Sequence, residues 1–130
     1  MFKIKEYFVS FLIGGTLYSI LEMLWRGYTH WTMCIAGGIC FSMIYALNDR
    51  AYLWPLAGKC LYGSVFITLI EFQIGCVVNL ILDWNVWDYS LARGNVMGQI
   101  CPQFTLLWFL LCIPGLYLAE VIRKNMRRIA

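Results

Sequence analysis

The sequence predicts an all-α membrane protein: a bundle of four transmembrane helices with a long outward loop between the third and fourth helices. Hydrophobic residues make up 62% of the chain and charged residues 13%, and the mean hydropathy is +0.70. A soluble domain of this length is far less apolar. The apolar residues also fall into four runs, each near the roughly 20 residues that a spanning helix needs. We therefore expect one transmembrane domain over residues 1–130.

These runs give the expected helices, which cover residues 7–25, 31–47, 56–82 and 104–122. The second run is short but flanked by aromatic residues, and the third is long enough to cross a membrane at a tilt. In the fourth, Pro114 removes a backbone donor, so we expect a kink there. Residues 83–103 form the expected loop.

The distribution of basic residues predicts the orientation. If the four helices alternate in direction, most basic residues fall on the side of the termini: Lys3, Lys5, Arg50, Lys59, Arg123, Lys124, Arg127 and Arg128. Only Arg26 and Arg93 fall on the opposite side. The positive-inside rule then places both termini in the cytoplasm, with the chain in the cell membrane and the 83–103 loop facing outward.

Aromatic residues are expected to mark the two membrane boundaries, because their amphipathic rings favour the headgroup level. The outer belt would contain Trp25, Trp31, Trp84 and Trp87. The inner boundary would contain Tyr45, Tyr52 and Trp54.

Small and polar residues recur at steps of three and four in the first and third helices, which places each set on one helix face. The two stripes are Ser10, Gly14, Tyr18, Glu22 and Arg26, and Cys60, Ser64, Thr68, Glu71, Gly75 and Asn79. The second helix carries Cys34, Gly38 and Ser42, a spacing that lets helix backbones approach closely. We expect these faces to pack against other helices.

Glu71 is the most informative single residue, because it lies near the middle of an apolar helix. A charge there costs roughly 2.5–3.5 kcal/mol on insertion scales. Glu22 lies one turn from Arg26 and should pair with it. Two interpretations remain open: the glutamates stabilise helix contacts, or Glu22, Arg26, Glu71 and Asn79 line a path for a ligand or ion.

The 83–103 loop mixes aromatic residues, carboxylates and glycines, which is typical of a segment folded back onto helix ends. Such loops often carry function. One interpretation is a binding site in the outer loop formed by His30, Trp87, Asp88, Tyr89, Asn95 and Gln99. The other is a lid that Trp84 and Trp87 anchor at the membrane surface.

Several chemistries find no support in the sequence. The single histidine, His30, lacks the local spacing of a metal site, and Ser19, Ser90 and Cys101 lack the context of a nucleophile. No glycine-rich phosphate loop is present, so the sequence indicates neither an ATPase nor a cofactor site. The net charge of +3 is too small and too scattered to indicate nucleic-acid binding.

The residues with the most specific pattern are Asn85-Val86-Trp87-Asp88-Tyr89-Ser90, followed by Asn95 and by Gly98-Gln99-Ile100-Cys101. Together with the Tyr18 to Glu22 and Trp25 to Gly27 segments, they resemble the bacterial membrane-protein family named ABC-transporter type IV, or CmpB-like. The resemblance spans nearly the whole chain. It implies a permease-like component whose ATPase, where one exists, is a separate subunit.

Three functions are compatible with these observations. The first is a transport or channel component with a polar site open to the outer face. Because four helices rarely enclose a path alone, it would act as a homo-oligomer, with a dimer favoured. The second is a structural or regulatory module that binds a partner or an envelope component through the outer loop. An enzyme that uses Glu22, Glu71 or Asp88 as general acid or base ranks third.

Overall fold

The computed structural model describes residues 2–129, with the side chains of residues 4–128. It contains four long helices, which are α1 (Phe2–Arg26), α2 (Trp31–Arg50), α3 (Leu56–Gly75) and α4 (Pro102–Ile129). A π-helical turn, Cys76–Ile81, continues α3. All four helices are long and apolar enough to cross a membrane, which confirms the predicted four-helix fold class.

The helices extend beyond the apolar runs that predicted them. α1 begins at Phe2 and α4 continues to Ile129, because lysine, arginine and methionine are good helix formers outside the apolar core as well. α2 reaches Arg50. α4 begins at Pro102, a residue favoured in the first helical position. The chain between the π turn and α4 therefore covers residues 82–101, and we call it the 82–101 segment.

The helices alternate in direction, so the bundle has two distinct ends. At one end Arg127 near the C-terminus pairs with Glu6 near the N-terminus, and we call it the terminal end. At the other, Arg26 at the end of α1 donates to the backbone carbonyl of Val86 in the 82–101 segment, at 2.8 Å. We call this the loop end.

Helix α1 packs mainly against α2, and α4 lies against both α2 and α3. Glycines permit the first contact: a Cβ atom on Gly37 would lie 2.6 Å from Cβ of Tyr18, and one on Gly38 would lie 2.8 Å from the ring of Phe11. The backbones can approach this closely only because these positions lack side chains. The small-residue pattern expected on α2 therefore includes a true contact site at Gly38.

The terminal end holds a cluster of ionisable side chains that the sequence did not reveal. Glu6 is only 1% exposed; it accepts a hydrogen bond from the hydroxyl of Tyr45 and pairs with Arg127 at 3.2 Å. Arg127 also contacts Asp49 at 3.0 Å. The expectation that Tyr45 marks a membrane boundary is wrong, because Tyr45 is 1% exposed and its hydroxyl points inward to Glu6.

Candidate functional site

The two predicted stripes face the interior of the bundle. Ser10 is fully buried, and Glu22, Glu71 and Asn79 are each less than a tenth exposed. Apolar side chains of the same helices, such as Leu24 of α1 and Leu69 of α3, are exposed instead. This pattern confirms that the polar faces are turned away from the lipid-facing surface.

A cavity of about 250 Å³ lies between the four helices, near their middle. Its walls are almost entirely aliphatic and aromatic, with Met33, Phe41, Ile67 and Ile74 among them. Glu71 of the α3 stripe and Tyr18 of the α1 stripe also line it. The two stripes therefore do meet, but around an apolar cavity with few polar groups.

Glu71 supplies the carboxyl group of this cavity. Its Oε2 accepts a hydrogen bond of 3.2 Å from the phenol of Tyr89. The indole nitrogen of Trp108 lies close to the same carboxyl group but outside hydrogen-bond geometry with it, and no other described residue is its partner. The site thus combines a partly satisfied carboxyl group with an unpaired buried N–H donor, which is an uncommon state for buried polar groups.

The 82–101 segment closes the loop end of the cavity. Trp87 is 7% exposed, lines the cavity and donates from its indole nitrogen to the carbonyl of Gln99 at 2.9 Å. The expected place of Trp87 in an outer aromatic belt is wrong, because its ring inserts between the helices. Trp25, Trp31 and Trp84 are well exposed, as a belt requires.

Asn79 holds the segment in this position. Its Oδ1 accepts hydrogen bonds from the backbone N–H of Val86 at 2.6 Å and of Trp87 at 3.4 Å, and its Nδ2 donates to Oε1 of Gln99 at 2.8 Å. Asn79 lies within the π turn, where one helical turn is widened, a distortion that often marks functional sites. A single buried amide thus joins the end of α3 to two parts of the segment, residues 86–87 and Gln99.

Gly75 lets the segment approach α3 closely. A Cβ atom there would lie 2.6 Å from Oε1 of Gln99 and 2.8 Å from Cζ2 of Trp87. Such distances exclude any larger residue without displacement of the tryptophan ring. Gly75 therefore belongs to the same contact as Asn79, which follows it by one helical turn.

The Glu22–Arg26 pair predicted from the sequence is present, with 3.1 Å between Arg26 Nη2 and Glu22 Oε1. Glu22 also accepts a hydrogen bond of 2.7 Å from the hydroxyl of Thr29. Arg26 reaches the carbonyl of Val86, the residue whose N–H is bound by Asn79. The pair therefore supports the 82–101 segment from α1 and does not line the cavity.

The remaining loop residues organise the backbone at the loop end. His30 caps α2 by accepting from the N–H of Thr32. Asp88 accepts from the N–H of Ser90 at 2.9 Å, and Asn95 donates to the carbonyl of Ala92 at 2.8 Å. Six residues were predicted for an outer-loop site. Of these, Trp87, Tyr89 and Gln99 face the helix bundle, where Trp87 contacts Gln99 and Tyr89 contacts Glu71. The other three, His30, Asp88 and Asn95, take no part in these contacts.

Trp108 is the cavity residue that the sequence analysis missed. It lies in an apolar run of α4 with no charged neighbour at helical spacing, so little in the sequence separates it from a lipid-facing aromatic residue. Only the packing of α4 against α3 places its indole nitrogen beside Glu71.

Four membrane-spanning helices around an inner cavity, with polar stripes turned inward, define a multi-pass membrane protein. The chain belongs to the family described as "Putative ABC-transporter type IV", which it matches over residues 12–130. The match confirms the family resemblance seen in the sequence and relates the chain to ABC transporters. No curated protein and no solved structure matches it.

Proposed function

We propose that this chain is the membrane-embedded component of a transport system whose substrate occupies the central cavity. The observation that carries the proposal is the cavity itself, which lies between the four helices beside the Glu71 carboxyl group and has Trp87 of the 82–101 segment in its lining. Membership of an ABC-transporter-related family supports transport over a purely structural role.

The lining of the cavity favours a substrate with an apolar body. A bare ion in such surroundings would lose its hydration without enough polar partners to replace it. An apolar molecule instead gains free energy from burial, about 25 cal/mol per Å² of surface removed from water. Glu71 would then orient the substrate through a single polar contact.

In this proposal the other residues predicted to line a path, Glu22, Arg26 and Asn79, control access to the cavity. Arg26 and Asn79 bind the backbone of Val86 from two different helices, and Glu22 holds Arg26. Release of these contacts would lift Trp87 out of the loop end. The basic residues at the terminal end support a cytoplasmic location for the termini and an outward location for the segment.

The proposal includes a homo-oligomer, with a dimer favoured, and a separate ATPase subunit. No continuous polar path crosses the described part of the chain, since the polar groups around Glu71 are separated from the terminal end by the apolar cluster that contains Phe41, Leu116 and Ala119. Movement of a substrate across the whole membrane therefore requires a conformational change or further subunits. The sequence itself contains no phosphate-binding loop that could drive it.

The test uses the complex purified through a tag on this chain from membranes of cells that produce it. After reconstitution with ATP, transbilayer movement of an NBD-labelled ceramide, an uncharged lipid with an apolar body, is followed by dithionite quenching. We expect faster movement than in protein-free liposomes, and slower movement with Glu71→Gln than with Glu120→Gln, which alters a carboxyl group at the terminal end. Equal rates in all samples that contain folded protein would argue against the proposal.

A second candidate is a structural or regulatory module that binds a partner through the 82–101 segment. It is favoured by Leu91, which is fully exposed, and by Met97, which is 63% exposed. If this candidate is correct, Leu91→Ser combined with Met97→Ser should abolish co-purification of the partner without a change in thermal stability. Retained co-purification would exclude that surface.

A further inference from the structure

We propose that the cavity binds a hydroxyl-bearing lipid or lipid-like alcohol, whose hydroxyl group bridges Glu71 and Trp108 and whose chain enters from the membrane between α1 and α4. The inference rests on the proposed function only in taking the cavity as the substrate site. It adds the chemical class of the substrate and its route of entry.

The first step is the unpaired donor. Trp108 is 8% exposed, and its Nε1 has no hydrogen-bond partner among the described residues. An unsatisfied buried donor is costly, so native structures rarely retain one without a function or a bound partner. Trp108 lines the cavity, which is where such a partner could lie.

The second step is the carboxyl group beside it. Tyr89 donates to Oε2 of Glu71, and the nearby Trp108 N–H does not form a hydrogen bond with this carboxyl group. A ligand group that satisfies both sites must accept from the Trp108 N–H and donate to Glu71. A hydroxyl group does both. An ammonium group cannot accept, a carboxylate cannot donate, and an ether oxygen can only accept.

The third step is the size and lining of the cavity. Apolar cavities of about 150 Å³ already admit a benzene-sized guest, so about 250 Å³ suffices for a medium alkyl chain or part of a longer one. Apart from Glu71 and Tyr18, the walls offer almost only hydrocarbon and aromatic surface. The hydroxyl group is thus the recognised feature, and the remainder of the molecule is held by apolar contact.

The fourth step is the opening. The lining residues that are also well exposed belong to α1 and α4, namely Leu17, Leu21, Leu111 and Pro114. α1 packs mainly on α2 and touches α4 only lightly. The cavity therefore reaches the lipid-facing surface between α1 and α4. An apolar chain can enter there from the membrane while Trp87 keeps the loop end closed.

The experiment uses the full chain in lipid nanodiscs and a diazirine-bearing octanol as photoreactive probe. We expect labelling of cavity residues such as Leu17 and Leu111, with competition by octan-1-ol and by octadecan-1-ol dissolved in the bilayer. The isomer heptyl methyl ether, which cannot donate, should compete at least tenfold more weakly. Equal competition by the ether, or uniform labelling of lipid-facing residues, would overturn the hydroxyl site. Competition by octan-1-ol but not by octadecan-1-ol would overturn entry from the membrane.

Variants supply the second measurement. Trp108→Phe removes the donor and keeps an aromatic ring, so we expect about tenfold weaker competition by octan-1-ol, equivalent to about 1.4 kcal/mol. The control is Trp84→Phe, which alters an exposed tryptophan outside the cavity and should change nothing. Unchanged binding by folded Trp108→Phe would overturn the role of Trp108.

Binding and transport fail independently in these tests. Translocation that depends on Glu71, without alcohol binding, would overturn this inference and leave the proposed function standing. Alcohol binding without translocation by the reconstituted complex would leave the ligand site standing and argue against transport.

Discussion

The phenol of Tyr89 donates a hydrogen bond of 3.2 Å to Oε2 of Glu71 and so joins the 82–101 segment to the buried face of α3. Burial raises the pKa of Tyr89 above its ordinary value, which keeps the phenol protonated and able to donate. Its ring also stacks on Phe104 of α4, with 4.8 Å between ring centroids. Tyr89 thus connects the 82–101 segment to both α3 and α4.

Tyr89→Phe should weaken this connection without removal of the ring stacking. The variant leaves the Glu71 carboxyl group, which is 8% exposed, without its protein donor, so we expect a loss of about 1–3 kcal/mol in the free energy of unfolding. Unfolding in SDS titrations measures this loss. Tyr117→Phe is the control, because Tyr117 is 75% exposed. An equal effect of both variants would contradict a specific role for the bond.

Asn79→Ala should release the 82–101 segment from α3. The change removes the acceptor for the N–H groups of Val86 and Trp87 and the donor to Gln99. We expect hydrogen exchange at the amides of Val86 and Trp87 to become at least about tenfold faster, since local opening becomes easier.

Gln73→Ala is the matched control for Asn79→Ala, because Gln73 is an exposed amide side chain on the same continuous helix. It should leave exchange in the segment unchanged. If Asn79→Ala leaves it unchanged as well, the segment is held by other contacts, such as that between Arg26 and Val86.

Much of the fold was predictable because the membrane imposes simple rules. The apolar runs predicted four helices, and the spacing of Glu22 and Arg26 predicted an ion pair that the structure contains. The spacing of Glu71 and Asn79 also predicted that both face inward. Such local patterns depend only on helix geometry, so they can be read without knowledge of the neighbouring helices.

The contacts between distant residues could not be predicted in the same way. Trp87 looked like a membrane-boundary residue, but Gly75 and Gln99 create a place for its ring inside the bundle. The sequence also gave no reason to join Glu6 to Arg127, which are separated by nearly the whole chain. Partners of this kind follow from tertiary packing, which one sequence does not specify residue by residue.

Arg127→Ala should destabilise the terminal end. The variant leaves the buried Glu6 with Tyr45 as its remaining partner and also removes a contact to Asp49. Loss of one partner from a fully buried pair costs about 3–5 kcal/mol. Because Arg127 is 36% exposed, solvent screening reduces the expected loss to roughly 1–2 kcal/mol.

The midpoint of thermal unfolding in detergent measures the effect of Arg127→Ala. Arg128→Ala removes a neighbouring arginine that is exposed and forms no salt bridge with the described residues. It should shift the midpoint much less. Similar shifts for the two variants would mean that net charge at the terminal end, and not the Glu6 contact, determines stability there.

The proposed orientation predicts opposite accessibility for two exposed positions. Leu91 is fully exposed in the 82–101 segment, and Tyr52 is 71% exposed between α2 and α3. In a variant whose six native cysteines are replaced by alanine or serine, Leu91→Cys should react with a membrane-impermeant maleimide in intact cells. Tyr52→Cys should react only after the membrane is permeabilised. The basic residues Arg50 and Lys59 favour a cytoplasmic location for the loop between α2 and α3, which contains Tyr52. The reverse labelling would place the termini outside and turn the loop end, with its cover over the cavity, toward the cytoplasm.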